Sequence, residues 1–148
     1  MPATMTFAPI GQGWADCELR LGERAFTLTG ISYLTDALGD LARLALMIAT
    51  GAYRATVSFD REPAEWRIVA IALTDAAGGG PVSISVYSFP DMSDAPLSEG
   101  TLEFTADCGA DEFARAILDG IRAALADPRL RGFTEPTGAL RVLELALT

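Results

Sequence analysis

Four strand-like segments follow one another between Tyr53 and Cys108, joined by turns and loops with no helical pattern. This succession constrains the fold more than any other feature of the chain. Tyr53–Asp60 alternates apolar and polar residues with period two. That pattern predicts a half-buried strand with Tyr53, Ala55, Val57 and Phe59 inward and Arg54, Thr56 and Ser58 outward. Arg61–Ala64 reads as a turn bent at Pro63. Glu65–Thr74 is apolar on both faces beyond Arg67, as a central strand would be. A glycine-rich loop over Asp75–Pro81 leads to Val82–Phe89, with Val82, Ile84 and Val86 inward. After a polar loop over Pro90–Gly100, Thr101–Cys108 alternates again, with Leu102, Phe104 and Ala106 inward. Consecutive strands without a crossover helix form an antiparallel sheet.

Two amphipathic helices flank this block. Thr35 is read as the cap of a helix over Asp36–Thr50, stopped by Gly51. Its core stripe is Leu38, Leu41, Ala42, Ala45 and Ile48. Leu44 and Met47 widen the apolar arc, so the helix is expected to be covered on two sides or to form an oligomer contact. Ala110–Ala126 carries Phe113, Ala114, Ile117, Leu118, Ile121 and Leu125 on one stripe, with Asp111/Arg115 and Asp119/Arg122 spaced for pairing on the wet side. Upstream, Ala15–Leu21 and Arg24–Ile31 form a hairpin about Gly22-Glu23. Residues 1–14, with Pro2, Pro9, Gly11 and Gly13, read as an irregular arm. Residues 128–148 read as loop and a short terminal element; periodicity leaves 140–147 open between strand and helix, with a short helix preferred. The order ββαββββα predicts one α+β domain over 1–148. The expected form is a two-layer sandwich with a mostly antiparallel sheet of about six strands and two main helices on one face. A core of this chain length buries about 70% of the unfolded surface without disulfide or metal.

Composition narrows the chemistry. The chain has no His, Lys or Asn, and all 11 basic residues are Arg. A Ser-His-Asp or Cys-His arrangement, a histidine-ligated zinc, a P-loop lysine and a Schiff-base lysine are all excluded within one chain. The net charge of −9 argues against nucleic acid and anionic membrane surfaces and favours a basic partner. The opening residues lack a basic region before Arg20 and lack an apolar run, so no signal peptide is expected. The longest wholly apolar run is Leu44–Ala49, too short for a membrane helix. The expected location is the cytoplasm, where Cys17 and Cys108 stay reduced and behave as small buried hydrophobes.

Several residue groups are candidate sites. Arg54 and Arg67 on adjacent strands, with Tyr87 on the next, would give an outer face also carrying Thr56, Ser58, Ser83, Ser85, Glu103 and Thr105. Such a face suits an anion, a peptide or a second subunit, because Arg recognises planar anions bidentately. An ordinary wet sheet has the same composition. Tyr53, Trp66 and Tyr87 would ring a small-molecule pocket between sheet and helices. Asp60, Glu62 and Glu65 offer a carboxylate pair for acid–base work, though a hairpin tip is normally wet. Asp91, Asp94 and Glu99 do not match the EF-hand spacing and read as a solvated acidic loop. Gly11-x-Gly13 and Gly78–Gly80 read as turn glycines and not phosphate loops. Trp14 reads as packing over the sheet edge.

The stretches Tyr33-Leu34-Thr35-Asp36, Val57-Ser58-Phe59-Asp60-Arg61-Glu62-Pro63-Ala64-Glu65-Trp66-Arg67 and Glu112-Phe113-Ala114-Arg115-Ala116 resemble a group of small α+β proteins common in actinobacteria. The group typically has Gly where this chain has Ala64. The resemblance implies a fold family and an accessory or immunity-like role; it carries no catalytic residue, cofactor or metal. The expectation is therefore a bacterial, non-catalytic interaction module. It would act through an acidic surface and an apolar helix on a protein partner, or as a homodimer. A small-molecule-binding domain is the alternative, and a carboxylate-only hydrolase is a third reading.

Overall fold

The computed structural model describes residues 2–11, 13–33, 36–74, 80–91, 94–133 and 135–148. Its elements are β1 (Ala3–Gly11), β2 (Trp14–Leu21), β3 (Arg24–Ser32), α1 (Ala37–Ala49), β4 (Arg54–Arg61), β5 (Ala64–Ala72), β6 (Pro81–Phe89), β7 (Thr101–Gly109), α2 (Ala110–Ala126) and α3 (Thr137–Ala146). The fold is α+β. Two antiparallel sheets, β1-β2-β3 and β4-β5-β6-β7, replace the single sheet of about six strands expected from the sequence, and three helices replace two. The supposed N-terminal arm is largely β1, which buries Met5 and Phe7 and pairs along β2 from Ala3↔Leu21 to Pro9↔Ala15. The division falls between β3 and β4, the two strands that α1 separates along the chain.

The two sheets are tied together by β3, which crosses one end of the inner face of the second sheet. At its start, Arg24 donates to the Thr105 carbonyl of β7 and lies over the Phe104 ring. Phe26 then meets Trp66 edge-on at 5.4 Å and Phe104 at 5.9 Å. Further along, the Thr29 carbonyl accepts from Trp66 Nε1 at 2.8 Å, and Gly30 lies beside Arg61 at the end of β4. A bulge in the β2–β3 ladder permits the crossing. Gly30 takes a φ of 67°, open to glycine at little cost, and its N–H is held by Asp16 Oδ1 at 3.0 Å.

Helix α1 begins at Asp36, whose carboxylate accepts from the Gly39 N–H at 3.2 Å; Thr35 lies outside the described residues. Gly51 follows the helix with φ 93°, the left-handed stop expected of it. Most of the broad apolar arc is covered within the chain: α1 packs on α2, α3 and β4, and Leu44 is buried with Leu41, Ala45 and Ile48, while Met47 stays 45% exposed. Helix α2 has the bounds its periodicity predicts and lies across β1. The crossing is tight at Gly120, where a Cβ would sit 2.6 Å from the Met5 carbonyl oxygen. Arg115 and Arg122 do not pair within α2 as expected. They reach toward α3, Arg115 donating to the Leu147 carbonyl and Arg122 pairing with Glu144 at 2.8 Å. The terminal element is the helix preferred from sequence. One continuous apolar core includes residues of every strand and all three helices. Among the described residues no helix is long and apolar enough to cross a membrane.

Candidate functional site

The five residues singled out for binding fall on different surfaces. Pairing fixes the faces of the second sheet. Ala55, Val57, Phe59, Trp66, Ile68, Ala70, Ile84, Val86 and Phe104 share the inner one; Arg54, Thr56, Ser58, Arg67, Ser85 and Tyr87 share the outer one. Trp66 is thus buried in the core and fully engaged, bonded to Thr29 and stacked beneath the Arg61 guanidinium at 4.5 Å. Tyr53, expected inward, is 69% exposed because it precedes β4, beyond the reach of the core. Tyr87 lies on the outer face. Tyr53, Trp66 and Tyr87 therefore do not ring a pocket. Leu102, also expected inward, is 51% exposed: the ladder shifts register at Val86/Tyr87, which places it opposite Tyr87 on the outer side.

Arg54 and Arg67 share the outer face but cannot grip one ligand group. Arg54 pairs with Ile71 and Arg67 with Ser58, four residues along the ladder, about 13 Å at the rise of a strand. Arg54 is exposed, whereas Arg67 is largely buried and occupied. Arg67 bonds Glu65 Oε2 through Nε at 2.9 Å and through a terminal nitrogen at 2.8 Å. It donates to the Ala95 carbonyl at 3.0 Å and lies 4.0 Å from the centre of the Phe89 ring. Gly100 closes on the edge of that ring, leaving no room for a Cβ. Arg67 thus fastens the segment after β6 onto the sheet.

This fastening changes the reading of the nearby carboxylates. Asp60 and Glu65 are direct cross-strand partners, and both are buried, not solvated as a hairpin tip suggests. Like charges placed opposite each other repel. Here Arg67 neutralises Glu65, and Asp60 Oδ1 accepts from the Glu62 N–H at 2.8 Å. Both acids are held in structural bonds. Asp91, Asp94 and Glu99 are exposed or partly so, and among the described residues no group of three acidic or thiol side chains is placed to hold a metal ion. Gly11 and Gly13 border the β1–β2 turn, Trp14 opens β2 half-buried, and Gly78 and Gly79 lie outside the described residues. Burial pushes both thiols up to about 12, helped at Cys17 by Asp16 and Glu18 and at Cys108 by Glu112 and Asp107. Neither is a nucleophile at neutral pH.

Two clefts stand out that no sequence pattern marked. One, of about 680 Å³, opens between α2 and α3 over Leu118, Leu140 and Leu147. Its rim carries Leu145, 68% exposed, and Val142 on the same helix is 49% exposed. Arg122 and Arg115 at this rim are tied to Glu144 and the Leu147 carbonyl. The second, of about 580 Å³, lies where the β1–β2 turn, Tyr33 and the segment Pro128–Gly132 meet. These residues are distant in sequence and lay in stretches read as arm and loop, which is why they went unmarked. No protein-family model matches this chain, and no curated protein or solved structure matches it either.

Proposed function

We propose that the chain is a non-catalytic, cytoplasmic interaction module of an immunity-like kind, holding a basic protein partner. The observation that carries this reading is α3. Of its ten residues only Leu143 is fully buried; Leu145 stands exposed at the rim of an apolar-floored cleft, and Val142 is exposed on the same helix. Exposed apolar groups next to a cleft suit an anchoring side chain from a partner. The apolar contact thus moves from α1, which the fold covers except at Met47, to α3. The net charge of −9 supplies long-range attraction to a basic protein and speeds encounter without deciding the contact.

The test compares wild-type protein with Leu145→Glu and Val142→Glu as baits in lysate of the source organism. The expected result is a basic protein retained by the wild type at low salt, lost at high salt and lost from both variants. Equal retention by the variants would sink the reading, as would failure to recover any basic protein. Light scattering on the purified chain separates self-association from partner binding: a homodimer that Leu145→Glu dissociates would assign the same surface to a second copy and refute the basic partner.

A further inference from the structure

Tyr33, which lines the second cleft, carries a polar group that no described residue bonds. The Tyr33 hydroxyl is shielded from solvent and has no hydrogen-bond partner among the described residues. Buried polar groups in folded proteins are almost always paired, so an orphaned phenol invites an acceptor. Its surroundings are built tightly. The ring packs on Phe133 at 4.2 Å, Phe133 meets Phe7 edge-on at 5.6 Å, and Gly132 closes so near the ring that a Cβ there would stand 2.3 Å from it. The Tyr33 N–H is held by the Gly13 carbonyl at 2.9 Å, which fixes the residue against the β1–β2 turn.

The charges around this hydroxyl are sorted. Asp127 is committed to Arg129, accepting from its backbone N–H at 2.9 Å, its Nε at 3.1 Å and a terminal nitrogen at 2.9 Å. Burial, then the Asp127 carboxylate, raises the Tyr33 pKa, so the phenol stays a protonated donor at neutral pH. Arg131 also lines the cleft, and among the described residues it has no carboxylate or carbonyl partner. Among the described residues, the lining thus combines a shielded O–H donor and an exposed guanidinium, neither of them paired. Pro9, Pro128 and the Tyr33 ring give it apolar walls. Its volume of about 580 Å³ falls in the range of small-molecule sites.

We propose that this cleft binds a small organic anion, a carboxylate or phosphate carried on an apolar body. The Arg131 guanidinium holds the anionic head, the Tyr33 hydroxyl donates to it, and the body lies against the proline and aromatic walls. An acceptor that carries charge suits both donors, because charge-assisted bonds are the stronger kind. This site is separate from the α2–α3 surface, so either can fail without the other.

The probes are benzoate, phenyl phosphate and the neutral isostere benzamide, read by thermal melting and by calorimetric titration. Binding at about 100 times Kd raises the midpoint by about 5–10 °C for a chain of this size. The expected result is a saturable shift with benzoate or phenyl phosphate and none with benzamide. Arg131→Ala should weaken binding about tenfold or more. Tyr33→Phe should weaken it about fivefold, yet melt no lower than wild type without ligand, because it deletes a group with no partner among the described residues. An equal shift with benzamide, no saturable binding of either anion, or a ligand-free Tyr33→Phe that melts clearly lower would each overturn the proposal.

Discussion

Replacing Gly120 by Ala sets helix propensity against packing, and the structure decides which wins. In a helix interior Ala is favoured over Gly by about 1 kcal/mol. At Gly120 the added Cβ would stand 2.6 Å from the Met5 carbonyl oxygen and 3.3 Å from the Met5 Cβ. The nearest obstacle is backbone in a paired strand, so no side chain can rotate away. To restore ordinary contact α2 must lift from β1 by about 0.8 Å. A gap of that size forfeits a quarter to a half of each dispersion contact along the interface. Overpacking of this kind costs about 1–3 kcal/mol. With a rigid obstacle the upper part of that range applies, leaving a net loss of about 1–2 kcal/mol after the propensity gain. The midpoint should fall by about 2–8 °C. Gly138→Ala is the matched control. Gly138 lies in α3, and a Cβ there meets nothing within 4 Å. The same substitution should there stabilise by about 0.4–1 kcal/mol. Thermal melts followed by circular dichroism give both values. A Gly120→Ala protein melting at or above wild type would refute the close crossing of α2 over β1.

Three further outcomes follow from the buried groups. Arg67→Ala strands the Glu65 carboxylate and releases the segment at Ala95; urea unfolding should show a loss of about 3 kcal/mol, with part recovered in Glu65→Gln/Arg67→Ala. A loss below about 1 kcal/mol would mean the pair is solvated. Trp66→Phe should cost about 1–3 kcal/mol by leaving the Thr29 carbonyl without its donor, measured the same way. Neither thiol should react with Ellman's reagent in the native protein at pH 8, and both should react in denaturant. Because the Cys17 thiol ionises near 9 in the unfolded chain and only at about 12 in the folded one, the unfolded state loses its proton first, so stability should fall as pH rises through that window. Cys17→Ala should show a shallower decline.

The bounds of α2 were legible because seventeen residues repeat one helical stripe that no proline interrupts and that Gly120 alone weakens. The inner faces of β4 and β6 were legible from alternation. Strand β1 carries the same alternation at Met5 and Phe7, but Pro2, Pro9, Gly11 and Gly13 around it read as loop. The division into two sheets has no local signal, since the order of strands along the chain is the same for one sheet or two. Asp60 and Glu65 are buried at a hairpin tip that reads as wet, and Arg67 beside Glu65 bonds Ala95, thirty residues beyond it, a contact that no local pattern marks. The Tyr33 cleft joins residues near positions 10, 33 and 130, and no spacing rule connects them.

The path of β3 over the second sheet also sets the order in which the chain can fold. Arg24 and Thr105, which it joins, are 81 residues apart. Pairings this distant form slowly, because loop closure must precede any gain from contact. During synthesis Phe26 waits about 4–16 s for Phe104 to be made, at ordinary elongation rates. The first three strands and α1 can assemble meanwhile, and Phe26 is covered in two steps, first by Trp66 of β5 and last by Phe104 of β7.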